Sequence, residues 1–113
     1  MTDKELADRV VALGVGKTGP EPFDNYYYHG KDAAVFAFAF VRDWRVAGAL
    51  MERCWSVDIY REDDRYDVEA WTRSGPEFER AHLYEGQHQS LPRAIIEACV
   101  KALEHRRAGR GLP

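Results

Sequence analysis

The most restrictive stretch of this 113-residue sequence is its final apolar-periodic segment, over about 90–105. Leu91, Ile95, Ala98, Cys99, Ala102 and Leu103 recur at helical spacing, and Ile96 and Val100 broaden the stripe. Such a helix has to be buried against another layer. Ser90 reads as its N-cap, with Pro92 in the first turn, where a missing amide does no harm. Glu97 and Lys101 are ordered for an i,i+4 ion pair, and His105, Arg106 and Arg107 suit the negative end of the helix dipole. Residues 109–113 are expected to fray.

Two further helices are predicted. Thr2-Asp3-Lys4-Glu5 fits a capping box that opens a helix over about 3–13, with Leu6, Val10 and Leu13 on one stripe and Gly14 placed to end it. Asp43 is a good N-cap for a helix over about 44–54, in which Ala47, Leu50, Met51 and Cys54 form the buried stripe and Trp44 anchors one end. Gly48 within this helix suggests close approach of another backbone or of a ligand, with packing the reading adopted.

Residues 55–61 and 66–72 alternate apolar and polar around the turn-like Glu62-Asp63-Asp64-Arg65, which predicts a β-hairpin. Pairing Arg61 with Tyr66 puts Trp55, Val57, Ile59, Val68 and Ala70 on the core face, and Ser56, Asp58, Tyr60, Asp67, Glu69 and Trp71 on the other. After a Ser74-Gly75-Pro76 turn, a third run at 78–84 would bury Ala81 and Leu83 and show Phe78, Arg80, His82 and Tyr84 outside, with residues 86–89 a loop. Over 33–41, Phe36, Phe38 and Phe40 favour a strand while the alanines favour a helix, and the strand is the reading adopted. Residues 14–25 read as a loop. Its Gly-Lys-Thr is not a phosphate-binding loop, because Val11 stands where that pattern needs glycine and the segment follows a helix.

Together these elements predict one α+β domain over 1–113, an antiparallel sheet of three to five strands packed by two to three helices. A net charge of -3 leaves no overall footprint for nucleic acid. The longest apolar run, Ala33 to Val41, is far short of the ~20 residues of a membrane span, and the charged start resembles no signal peptide, so a cytoplasmic protein without membrane attachment is expected. Cys54 and Cys99 read as buried free thiols, and no residue spacing calls for a metal or cofactor.

Two segments carry a resemblance: Phe40-Val41-Arg42-Asp43-Trp44-Arg45-Val46-Ala47-Gly48-Ala49-Leu50-Met51-Glu52 and Ser90-Leu91-Pro92-Arg93-Ala94-Ile95-Ile96-Glu97-Ala98-Cys99, with Glu5 to Gly14 similar to the usual opening. They resemble the phage ABA sandwich domain family, small proteins of bacteriophages and prophages. The resemblance implies an α-β-α-type sandwich of phage or prophage origin, in the cytoplasm of a bacterial host, and implies no activity.

Two candidate sites follow. On the outer sheet face the predicted register makes a row of Asp58, Glu69 and His82 flanked by Trp71, Arg80 and Tyr84, suited to a ligand, a cation or a basic protein surface. At the mouth of the second helix, Arg42, Trp44 and Arg45 could hold an anion or stack a base. The leading expectation is a non-enzymatic phage or prophage accessory protein that binds another protein, host-encoded or a second copy of itself, and interferes with a host system. The alternatives are a protein that sequesters a small nucleotide-like ligand, and a small hydrolase. No catalytic residue is assigned. The Tyr26-Tyr27-Tyr28 cluster is a further aromatic surface for a partner.

Overall fold

The broad apolar stripe at the end of the chain forms the central helix of the computed structural model. That model describes the backbone of residues 1–74 and 80–111 and the side chains of residues 1–72 and 83–106. In chain order the elements are α1 Asp3–Ala12, β1 Lys17–Thr18, β2 Tyr26–Tyr28, β3 Val35–Phe36, α2 Ala37–Phe40, α3 Trp44–Met51, β4 Ser56–Arg61, β5 Tyr66–Ser74, β6 Arg80–His88 and α4 Leu91–Gly111. The strands make two antiparallel three-stranded sheets, β1-β2-β3 and β4-β5-β6. The fold is α+β. The expected Ser74-Gly75-Pro76 turn, Phe78 and the side chains of Arg80 and His82 lie outside the described residues.

Ala94, Ile95, Ile96, Ala98, Cys99, Val100 and Ala102 of α4 are fully buried. The helix packs against β5 and β6 on one side and against α1 and α3 on others, while the small sheet packs on α1 and α2. Val68, Ala70 and the buried Thr72 are the sheet's contribution beneath α4. α4 extends to Gly111, past the expected end near 105; Arg106, Arg107 and Ala108 favour helix, whereas Gly109 and Gly111 do not.

Several local signals act as expected. Thr2 Oγ1 accepts from the Glu5 amide at 3.1 Å and the Glu5 carboxylate accepts from the Thr2 amide, closing the capping box. The Asp43 carboxylate accepts from the Arg45 amide at 2.8 Å and starts α3. The β4–β5 register pairs Arg61 with Tyr66. Lys101 and Glu97 form their ion pair at 3.3 Å.

Other expectations are corrected. The third strand occupies Arg80–His88 and runs through the supposed loop at 86–89. Its register sets Glu85 against Glu69, Tyr84 against Ala70 and Leu83 against Trp71, so Tyr84 turns toward α4 and Leu83 outward. The Tyr84 ring lies 5.4 Å from His105 of α4, centroid to centroid. Gly86 is the reason for this choice. A Cβ there would come 2.2 Å from the Ala94 carbonyl oxygen and 2.8 Å from the Ala98 nitrogen, so the helix backbone rests directly on the strand.

Gly48, where a close approach is predicted, has nothing within 4 Å of its would-be Cβ. Trp44 does not anchor α3; it is 59% exposed, and Val46, Ala47 and Leu50 are the buried face. The segment over 33–41 divides between β3 and α2, with Phe40 buried and Phe38 64% exposed beneath the Arg42 guanidinium, 3.8 Å from its ring centroid. A continuous strand would have put Phe36, Phe38 and Phe40 on one face with only Phe40's surroundings able to cover them. Within the supposed loop 14–25, Lys17 and Thr18 pair with Tyr28 and Tyr27. Tyr27 is buried, not a surface residue: its hydroxyl donates to Asp8 and accepts from Lys4, and its ring stacks on Phe40.

A polar junction joins the chain's start to α4. Arg93, 4% exposed, donates to Asp3 Oδ1 at 2.9 Å, the Met1 carbonyl at 2.8 Å and Glu97 at 3.1 Å, and Arg42 donates to the other Asp3 oxygen at 3.0 Å. Burial pushes the Asp3 carboxyl up, but the Arg93 and Arg42 guanidiniums more than offset this and hold it below its ordinary value. Arg9 of α1 pairs with Glu104 of α4. Next to the junction, His88 Nδ1 accepts from the Ser90 amide at 2.9 Å. Burial, with Arg93 and Arg42 adding to it, holds the imidazole pKa below its ordinary 6.5.

Two expectations can be measured. By urea denaturation, Gly86→Ala destabilises the protein by about 1–3 kcal/mol because the contact cannot widen, whereas Gly48→Ala stabilises it by up to ~1 kcal/mol through helix propensity alone. Because the unfolded chain protonates His88 more readily than the folded one, stability falls as pH drops below about 6.5 and on through the lower folded value. His88→Gln should flatten that part of the stability–pH curve while leaving the acid loss from Asp3, below about 3.8, in place.

Candidate functional site

The face of β4-β5-β6 turned away from α4 carries Ser56, Asp58, Tyr60, Asp67, Glu69, Trp71, Leu83, Glu85 and Gln87, by register. The hairpin alternation produces this face, since Val57, Ile59, Val68 and Ala70 take the helix side. Directly opposed across the three strands stand Asp58, Glu69 and Glu85. Side chains so placed have Cβ atoms about 5 Å apart, and like charges there repel. Among the described residues none of the three is in an ion pair, and Arg61 of β4 has the opposite strand parity.

The row is therefore Asp58, Glu69 and Glu85, not Asp58, Glu69 and His82. The register places His82 against Thr72, three strand positions from the Glu69 pair, because Tyr84 and Gly86 rather than Leu83 face α4. Trp71 and the exposed Leu83 form an apolar flank at one end of the row. At the other end a surface hollow of about 360 Å³ is lined by Tyr60, Arg61, Glu62, Asp67, Glu69, Glu85 and Gln87. Glu85 was missed in the sequence because it follows the stretch expected to end the strand. The signal that could have found it was Gly86, as a contact point for the closing helix.

The local field is negative. The charges of Glu69 and then Asp58 raise the Tyr60 phenol above its ordinary value. Glu62 is raised by the neighbouring Asp67 carboxylate. Among the described residues Asp67 Oδ1 is buried without a hydrogen-bond partner, and Arg65 Nε lies 3.9 Å away. Among the described residues no three His, Cys, Asp or Glu side chains are grouped as metal ligands.

β4 is an edge strand of this sheet, as is β6, and among the described residues no strand pairs with its outer side. The Glu62 amide donates to the Arg65 carbonyl at 2.9 Å, so by antiparallel alternation Asp58 and Tyr60 bond to β5 while Val57, Ile59 and Arg61 turn their backbone groups outward. Asp58, Ile59, Tyr60 and Arg61 are all exposed, Ile59 at 43% although it is on the helix side, because α4 packs on β5 and β6. At the start of β4 the Trp55 amide also donates to the carbonyl of Trp71, Ser56's partner, so two residues oppose one in a β-bulge.

The mouth of α3 is differently disposed. Arg42 is held by Asp3, the Phe38 carbonyl and the Phe38 ring, and Arg45 by Asp43 and Asp32. The Asp43 carboxylate occupies the cap. Arg42, Trp44 and Arg45 are thus near one another in the chain without converging on an open anion site, and an incoming phosphate would have to displace carboxylates from both guanidiniums.

In comparisons with known proteins, the chain matches no family model, no curated protein and no solved structure.

Glu69→Gln removes the middle charge of the row. Spectrophotometric titration should then show the Tyr60 phenol moving down toward its ordinary value, and denaturation should show a gain of ~0.5 kcal/mol from relieved repulsion. An unchanged tyrosine titration would mean that the row does not set the field at Tyr60.

Proposed function

We propose that the chain is a non-enzymatic binding protein that captures an extended, basic segment of a protein partner along β4. The observation that carries this reading is the open β4 edge, with the backbone of Val57, Ile59 and Arg61 turned outward beside the carboxylates of Asp58, Glu69 and Glu85. An added strand satisfies the outward amides and carbonyls, and its side chains alternate between faces. Basic residues then lie toward Asp58 and Glu69, and apolar ones beside Ile59. Leaving like charges opposed costs the hairpin stability, and a cationic partner offsets that cost on binding.

The resemblance to the phage ABA sandwich domain family supports a phage or prophage accessory protein, working in the bacterial cytoplasm on a host-encoded partner. The rival reading, a small nucleotide-like ligand held by Arg42, Trp44 and Arg45, has less behind it because both guanidiniums already have carboxylate partners.

A fluorescent peptide of alternating lysine and valine tests the reading by anisotropy. It should bind at low salt and weaken as salt rises, while an alternating glutamate and valine peptide does not bind. Asp58→Asn with Glu69→Gln should weaken binding about tenfold, and Ile59→Pro, which removes an outward amide and leaves the β5 ladder intact, should weaken it comparably. Equal binding of both peptides, or full binding by a folded Ile59→Pro protein, would count against strand capture.

A further inference from the structure

The outer edge of β4 is complementary to a second copy of itself. Val57, Ile59 and Arg61 turn their amides and carbonyls away from β5, whereas Asp58 and Tyr60 are bonded to it. The outward residues are spaced evenly about Ile59. A bulge at Trp55 bounds this edge on one side and the Glu62–Arg65 turn bounds it on the other. The strand packs on β5, and its exposed side chains include Ile59 at 43% and Tyr60 at 51%.

A two-fold axis perpendicular to the sheet sets two β4 strands antiparallel and keeps each face continuous across the join. Outward residues must then pair with outward residues, which puts Asp58, Ile59 or Tyr60 on the axis. With Asp58 there, the two Asp58 carboxylates stand directly opposed. With Tyr60 there, Asp58 of each copy faces Glu62 of the other. Both arrangements set like charges face to face. With Ile59 on the axis, Ile59 meets Ile59, Val57 meets Arg61 and Asp58 meets Tyr60. Every outward amide of Val57, Ile59 and Arg61 then reaches an outward carbonyl of the other copy, and the Tyr60 phenol can donate to the Asp58 carboxylate.

We propose that two copies of the chain pair through β4, antiparallel about Ile59, into one continuous sheet that hides the strand-capturing edge. The self-pairing follows from the edge itself; its masking role rests on the strand-capture reading. Charge decides between the two occupants. In the paired register the two Asp58 side chains are diagonal neighbours, about 7–8 Å apart, and each brings its row of carboxylates with it. Self-pairing is therefore opposed by repulsion and strengthens as salt screens it, the reverse of the salt dependence of a basic strand. At low salt a cationic strand displaces the second copy, because it uses the same backbone groups without that repulsion.

The test combines sedimentation equilibrium of the full chain, at low and high salt, with hydrogen exchange over a range of protein concentrations. The expected result is a monomer–dimer equilibrium that shifts toward dimer at high salt. The amides of Val57, Ile59 and Arg61 should slow with rising concentration, while those of Asp58 and Tyr60, already bonded to β5, change little. Asp58→Asn with Glu69→Gln should tighten the dimer about threefold at low salt, although it weakens binding of the lysine and valine peptide. Ile59→Pro, shown by circular dichroism to be folded, should be monomeric. A dimer that persists in folded Ile59→Pro, or that leaves the three outward amides unprotected, would overturn the proposal. A chain that stays monomeric at every salt and concentration yet binds the lysine and valine peptide overturns self-pairing and leaves strand capture standing. A dimer protected at the three amides that the peptide neither binds nor dissociates upholds self-pairing and overturns strand capture together with the masking role.

Discussion

The direct contact of α4 with β6 at Gly86 governs the arrangement of the molecule. With no side chain at that position, the helix backbone lies on the strand at Ala94 and Ala98, and Tyr84 is carried under the helix beside it. That choice settles the parity of β6, and because side chains alternate strictly, it sends Leu83, Glu85 and Gln87 to the opposite face. The same seat centres α4 on β5 and β6, leaving β4 beyond the helix's cover. Both the row of carboxylates and the open edge are consequences of where one helix rests.

Around α4 the contacts differ in kind. Its sheet side is apolar, and its first turns meet the N-terminal segment through Arg93, Asp3 and Arg42. A guanidinium as enclosed as Arg93 is costly to bury alone; here it has Asp3, Glu97 and the Met1 carbonyl, so its donors are answered. Farther along, Arg106 donates to the Arg53 carbonyl just past the end of α3. The N-terminal helix and α3 are thus each joined to α4 by specific contacts, whereas β4 is held by its β5 ladder and its bulge. Stability is concentrated on one side of the large sheet, and the other side tolerates opposed like charges at the expense of hairpin strength.

Much of the local architecture was legible before any coordinates. The Thr2–Glu5 capping box, the Asp43 cap, the Glu97–Lys101 pair and the Arg61–Tyr66 hairpin register all depend on residues within a few positions of each other, where backbone geometry leaves little choice. Positions without a local constraint were not legible. Trp44 looks like an anchor by residue type but is mostly exposed; Gly48 looks like a contact glycine, but nothing lies within 4 Å of its would-be Cβ. At Phe36 to Phe40 alanine and phenylalanine pull toward different periods, and the burial of Phe40 by Tyr27 settles the matter.

The sequence by itself determined the α+β class, the three main helices, the hairpin with Asp58 opposite Glu69, and the breadth of the final helix's apolar surface, because each follows from short-range periodicity and capping. Only the tertiary structure decided that Glu85 rather than His82 completes the outer row and that β4 lies beyond the cover of α4. These depend on how α4 sits on the sheet. The helix could reveal that seat in sequence only through a glycine, whose meaning is the absence of a side chain and so is visible only when the neighbour occupying its space is in place.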